Sequence, residues 1–241
     1  MLSKKQKIEE VRQKINNRFP GVMVNYASNT VASPDILAGL PVKGSSSLHE
    51  HKNFNSFNYL TGWPFQRSSS LLIKGQGATF FVWKLMQKTL CEFNEAVAYV
   101  DGRTSFFPPG AAYSGIDLDF IFWVNTDNVP CSVRAAEHLV SSNLFGLVIL
   151  DPPAGSAIAT GCRRLHLKLL HSSSRLLVID HSDTDMSVTV HRKLFLSNVQ
   201  PRWNNDSSNC GIASFEGIGQ PAVSYGRQFL SSVPFSTNLN W

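Results

Sequence analysis

Carboxylates and glycines stand where short apolar runs of this chain end, and they are the residues best placed to do chemistry. Gly75-Gln76-Gly77-Ala78-Thr79 follows the apolar run Ser70–Lys74 and precedes a helical pattern through Phe81, Val82, Leu85, Met86 and Leu90. That is the layout of a phosphate-binding loop. There glycine lets the backbone approach a phosphate, a lysine reaches the terminal phosphates and a hydroxyl holds magnesium. Gly77 and Thr79 are in place. Ala78 stands where the lysine belongs, and Leu72 occupies the position of the first glycine. The run Phe145–Asp151 (FGLVILD) ends in a carboxylate suited to hold magnesium through water. Two further runs end at Asp101 and at Asp180-His181.

Such groups need a scaffold that brings strand ends together. Short apolar runs at 70–74, 96–100, 120–124, 145–150 and 175–179 alternate with helical patterns at 81–90, 133–141 and 157–170. Strands apolar on both faces and separated by helices specify a mainly parallel sheet flanked by helices, an α/β domain. In such sheets the functional groups collect past the carboxyl ends of the strands. Residues 4–19 have an amphipathic helical pattern, with Ile8, Val11 and Ile15 on a narrow stripe that must dock on its own domain or a neighbouring subunit. Phe19-Pro20-Gly21 ends it. The divisions expected are an N-terminal helix or docking arm over 1–24, a core over 25–200 and an irregular tail over 201–241, rich in Ser, Asn, Gly and Pro.

Composition narrows the function classes. Of the 241 residues, 43% are hydrophobic and 16% charged, which suits a folded core. No apolar run approaches the roughly 18–20 residues of a membrane span. The Lys/Glu-rich start lacks the apolar stretch of a signal peptide, so a cytoplasmic protein is expected. Cys91, Cys131, Cys162 and Cys210 have no metal-ligand spacing and are read as buried or half-buried thiols. His49-Glu50-His51 offers two imidazoles without a third ligand, and no metal site is expected. The net charge of +5 and pI near 9.1 favour a polyanionic partner. Arg163, Arg164 and Lys168 make either a DNA-facing surface or a solvated helix face. Trp203, beside Arg202, is a candidate base-stacking aromatic. Asp151-Pro152-Pro153-Ala154 has the outline of a DNA amino-methyltransferase motif but lacks its aromatic.

From about Lys4 to Leu196 the chain resembles the bacterial RecA recombinase family. KKQKIEEVRQKINNRFPGVMV is similar to its N-terminal helix, and LTGWPFQRSSSLLIKGQGAT to the approach to its phosphate loop. AVAYVDGRTSFFPPGAAYSGIDLDFIFWVNTDN, FGLVILDPPAG and GCRRLHLKLLHSSSRLLVIDH follow in the family's order. The resemblance implies a RecA-like P-loop NTPase core with a degenerate nucleotide loop and an added N-terminal helix. By that alignment the catalytic glutamate falls at Arg103 and the Asn-Gln phosphate sensor at Asp180-His181. Gly75, Gly77, Ala78, Thr79, Asp101, Arg103, Asp151 and His181 would then be a vestigial nucleotide site. With the lysine and the base both gone, turnover and ATP–magnesium binding are expected to be lost or weak. The short Ser182–Met186 segment stands where the family has a long DNA-binding loop. In this it is similar to ImuA- and SulA-type accessory proteins of the damage (SOS) response. The implied partners are a RecA-type recombinase, a translesion polymerase or single-stranded DNA, with self-association through Ile8, Val11 and Ile15. An unusual active ATPase that borrows Lys74, and the methyltransferase, are the alternatives.

Overall fold

The computed structural model describes residues 66–153, 159–181, 189–204 and 211–223. It also describes 23–26, 58–61, 228–229, 233–238 and five residues near the start. Those five, Gln6, Glu9, Glu10, Gln13 and Asn17, are helical. Ile8, Val11, Ile15, the His49–His51 cluster, Cys210 and the Ser182–Met186 segment lie outside the described residues.

The parallel strands are β2 (Ser70–Gly75), β3 (Ala96–Asp101), β4 (Ile121–Asn125), β5 (Phe145–Asp151), β6 (Arg175–Asp180) and β7 (Arg192–Asn204). Their spatial order is β4-β3-β5-β6-β2-β7, so β6 separates β2 from β5. A first short strand, β1 (Met23–Tyr26), adds antiparallel to β4. Sequence patterning had placed no strand there.

β3, β5 and β6 are buried at every position. Their side chains alternate between two cores, as the period of two along a strand requires. Leu71, Ile73, Val97, Tyr99, Leu147, Ile149, Leu177 and Ile179 face one cluster, under α1 (Ala78–Phe93) and α2 (Pro108–Tyr113). Leu72, Ala98, Val100, Val148, Leu150, Leu176 and Val178 face the other, under α3 (Val129–Ser142) and α4 (Ala159–Leu169). The helix ends follow local chemistry. The Asn128 side chain accepts from the Cys131 amide at 2.9 Å to start α3, and Asn143 ends it in the left-handed region.

The stretch beyond residue 200, expected to be irregular, is largely strand. β7 runs on to Asn204 and pairs antiparallel with β8 (Gly211–Val223), which pairs with β9 (Gln228–Phe229) and β10 (Val233–Asn238). Serine, glycine and asparagine suggest loops in isolation. Here pairing to an edge already built by β2 and β7 outweighs their weak strand preference. A break in register between Ser197 and Gln200, with Asn198 at φ 53°, bends β7 where it leaves the parallel sheet.

Candidate functional site

The carboxyl ends of β2, β3, β5 and β6 form one rim, and parallel pairing sets Asp101 directly opposite Asp151. Each carboxylate has its own set of donors. Asp101 is fully buried. Its Oδ1 accepts from the amides of Arg103 (3.1 Å) and Ser105 (3.0 Å), and its Oδ2 from the Phe106 amide (3.0 Å) and Trp123 Nε1 (3.3 Å). It therefore folds the β3–α2 loop around itself. Asp151 Oδ2 accepts from the Tyr99 hydroxyl (3.0 Å) and Ser105 Oγ (2.5 Å), and Oδ1 lies 2.8 Å from His181 Nε2. Burial, followed by the Asp151 charge, pushes the Tyr99 phenol well above its ordinary range. Tyr99 therefore keeps its proton and donates it.

The turn from β2 to α1 contains only Gln76 and Gly77. Gly75 and Gly77 both have positive φ, 109° and 80°. A Cβ at Gly75 would meet the Leu196 carbonyl oxygen at 2.1 Å, and one at Gly77 would meet Val199 Cγ1 at 2.7 Å. The glycines let β7 close over the turn. Ala78 is buried in the core, whereas Thr79 is exposed at the first turn of α1. Lys74 Nζ lies 3.6 Å from Asp180 Oδ2, its register neighbour on β6.

Magnesium and a triphosphate need a loop wide enough to wrap a phosphate and a carboxylate with a free lone pair toward the metal. A two-residue turn roofed by β7 and a buried alanine in place of the lysine do not fit that group, and three side chains of the same chain already compete for Asp151, leaving it one lone pair, on Oδ1. The rim thus joins Asp101, Arg103, Asp151 and His181 in one linked network. Gly75, at the end of β2, Gly77 of the turn, and Ala78 and Thr79 at the start of α1 lie apart from it, on a strand two places from β5. Arg103 enters the network through its amide. Its side chain is exposed and makes no ion pair among the described residues.

Tyr99, Ser105 and Trp123, the neutral donors, escaped the sequence analysis. Tyr99 had a signal: it is the one polar-tipped residue ahead of Asp101 in AVAYVD and shares that residue's strand face. On α4, Arg164 Nε and Lys168 Nζ reach Glu137 of α3 at 3.1 and 3.2 Å, while Arg163 is exposed and makes no such pair among the described residues. Cys162 is buried and pushed up to about 12 by burial and then by Asp180, so it stays a thiol. Cys131 is half-buried, but Cys91 is exposed, contrary to expectation. Of the Asp-Pro-Pro-Ala segment, Pro152 is buried and Pro153 packs on Gly102, while Ala154 lies outside the described residues.

Among solved structures, the chain is similar to one described as the crystal structure of the RadB recombinase. Identity is 17% and the TM-score 0.54, over 74% of this chain and 91% of that one. No protein-family model matches the chain, and no curated protein matches it. At that identity the likeness establishes the fold, the RecA-like α/β core that the order of motifs implied. No helix among the described residues is long and apolar enough to cross a membrane.

Proposed function

We propose that this chain is a non-catalytic RecA-like protein. It acts in DNA recombination, repair or damage-induced mutagenesis by contacting a recombinase, a translesion polymerase or DNA. The observation that carries this is Asp151. The one carboxylate retained from a hydrolytic set is engaged by Tyr99, Ser105 and His181 of its own chain. The RecA-like fold, the short β2–α1 turn and the basic net charge support the same conclusion. Hydrolysis would need a lysine, a base and a metal-holding carboxylate together, because charge neutralisation and positioning supply almost all the catalysis in phosphoryl transfer. The protein works in the cytoplasm without ATP or magnesium. Ile8, Val11 and Ile15 offer the docking stripe toward a partner or a second copy.

Two measurements test this. The purified protein should show no ATP turnover above background, with or without single-stranded DNA. Turnover abolished by Asp151→Ala would overturn the non-catalytic assignment in favour of an unusual ATPase. Labelled single-stranded DNA carrying a host recombinase filament with ATP should change its anisotropy when the protein is added. Absence of any effect, both there and on bare DNA, would remove the recombination role.

A further inference from the structure

Arg103, Thr104 and Phe107 of the β3–α2 loop are exposed, and the hydrogen bonds of the rim employ none of their side chains. Arg103 is exposed and without an ion pair among the described residues. Lys74 of the same rim is engaged with Asp180, and on α4 Arg164 and Lys168 are engaged with Glu137. Phe107 is 60% exposed at the start of α2, ahead of Pro108 and Pro109, which restrict the backbone. Its ring is seated on Gly110. A Cβ there would fall 2.7 Å from Phe107 Cδ1 and 2.9 Å from Trp83 Cη2. One side of the ring is therefore backed by protein while much of it meets solvent.

The loop between the two is held rigidly. Asp101 binds the amides of Arg103, Ser105 and Phe106, and the Phe106 ring packs 4.9 Å from Tyr99 and 5.5 Å from Trp123. A loop fixed in advance loses little conformational entropy when it binds.

We propose that this loop is a contact for single-stranded nucleic acid, with Phe107 stacking on a base and Arg103 meeting an adjacent phosphate. The inference rests on the DNA-contacting form of the proposed function. An exposed aromatic backed by protein and an exposed guanidinium four residues before it in the same loop supply the two kinds of contact, base stacking and phosphate charge, that bind single strands without reading sequence. Its exposed neighbours, Thr104, Ser105 and Pro109, supply no large apolar patch of the kind a protein interface core buries. The buried carboxylates of the former nucleotide rim thereby acquire a role, since Asp101 positions the loop that displays both groups.

The test is anisotropy of labelled oligo(dT) against the full chain across a salt series, with Phe107→Ala, Phe107→Trp, Arg103→Ala and the control Arg67→Ala, an exposed arginine ahead of β2 at the other end of the sheet. Phe107→Ala should weaken binding by about 5- to 100-fold, the range for loss of one stacked base, and Phe107→Trp should restore it. Arg103→Ala should lower the slope of log affinity against log salt by about one. Arg67→Ala should change neither. Thermal melting should be unchanged in Phe107→Ala, because the ring is mostly exposed. Binding by the wild type that survives Phe107→Ala and Arg103→Ala undiminished would overturn the site and leave the broader function standing. No wild-type DNA binding, with a recombinase effect lost in Phe107→Ala, would overturn the nucleic-acid assignment and make the loop a protein contact. No wild-type effect in either format would remove both.

Discussion

At the amino-terminal rim of the parallel sheet, buried charge is matched by opposite charge. Arg175, the first residue of β6, reaches Glu95 at 2.9 Å and the Gly146 carbonyl at 3.2 Å, with its guanidinium 4.4 Å from the centre of the Phe93 ring. Arg67 reaches the other Glu95 oxygen at 2.6 Å. At the carboxyl rim, Asp101 and Asp151 have no Lys or Arg partner among the described residues. They are satisfied by amides, hydroxyls, an indole and one imidazole. One rim clamps strands together by ion pairing. The other has one lysine pair, Lys74 with Asp180 at 3.6 Å, but spends Asp101 and Asp151 on shaping a loop and leaves Arg103 facing solvent. Buried charged groups are thus structural at both ends, and at the carboxyl rim the loop they hold carries the exposed Arg103 and Phe107.

The sharpest way to break that contrast is Arg175→Ala. It strands Glu95, 20% exposed, beside Arg67 alone and removes a guanidinium that is 94% buried by side-chain area. Loss of one partner of a buried pair costs about 3–5 kcal/mol, and urea unfolding should show a loss of that order. A loss under about 1 kcal/mol would mean the amino-terminal rim is no clamp. At the carboxyl rim, Asp101→Ala leaves three amides and the Trp123 indole without their acceptor. The loop can partly rehydrate, so the expected loss is smaller, about 2–3 kcal/mol. It should come with increased hydrogen exchange at Arg103, Ser105 and Phe106 and weakened DNA binding. Unchanged exchange at those amides would show that the loop is held by something other than Asp101.

How much of this was legible in the sequence depends on the period of the signal. β3, β5 and β6 are unbroken apolar runs bounded by polar residues, and they lie within a residue or two of their expected limits. Asp101, Asp151 and Asp180 end those runs, so their place at the rim followed at once. β8 and β10 were illegible because Gly, Ser and Pro carry little strand preference, and only the edge offered by β7 makes strands of them. The occupancy of Asp151 was hidden for another reason. Tyr99, Ser105 and His181 come from 52, 46 and 30 residues away, and no local pattern joins them. The basic face of α4 looked available in sequence, yet Glu137, on a different helix, takes up Arg164 and Lys168.

The smallest effect belongs to His191, at the amino-terminal rim. The Ser70 amide donates to His191 Nδ1 at 3.0 Å, and the Ser70 hydroxyl lies 2.9 Å from the same nitrogen. An amide can only donate, so Nδ1 must be unprotonated and the ring neutral. Burial lowers the His191 pKa from its usual value, and the neighbouring His166 ring, 4.7 Å away between centroids, lowers it further. With the folded pKa depressed, the unfolded chain binds the extra proton first as pH falls. Stability is therefore flat above the unfolded pKa of about 6.5 and declines below it. The decline ends once pH has passed the lower folded value. Since Ser70 opens β2 and His191 directly precedes β7, protonation weakens the point where those strands begin to pair. Urea midpoints measured from pH 8 to pH 5 should fall in that window. His191→Asn keeps an acceptor near the position of Nδ1 but cannot titrate, and should flatten the curve. A curve of the same shape in the variant would place the proton elsewhere, and would leave the ionic clamp of Arg175 and Glu95 as the part of this rim that matters.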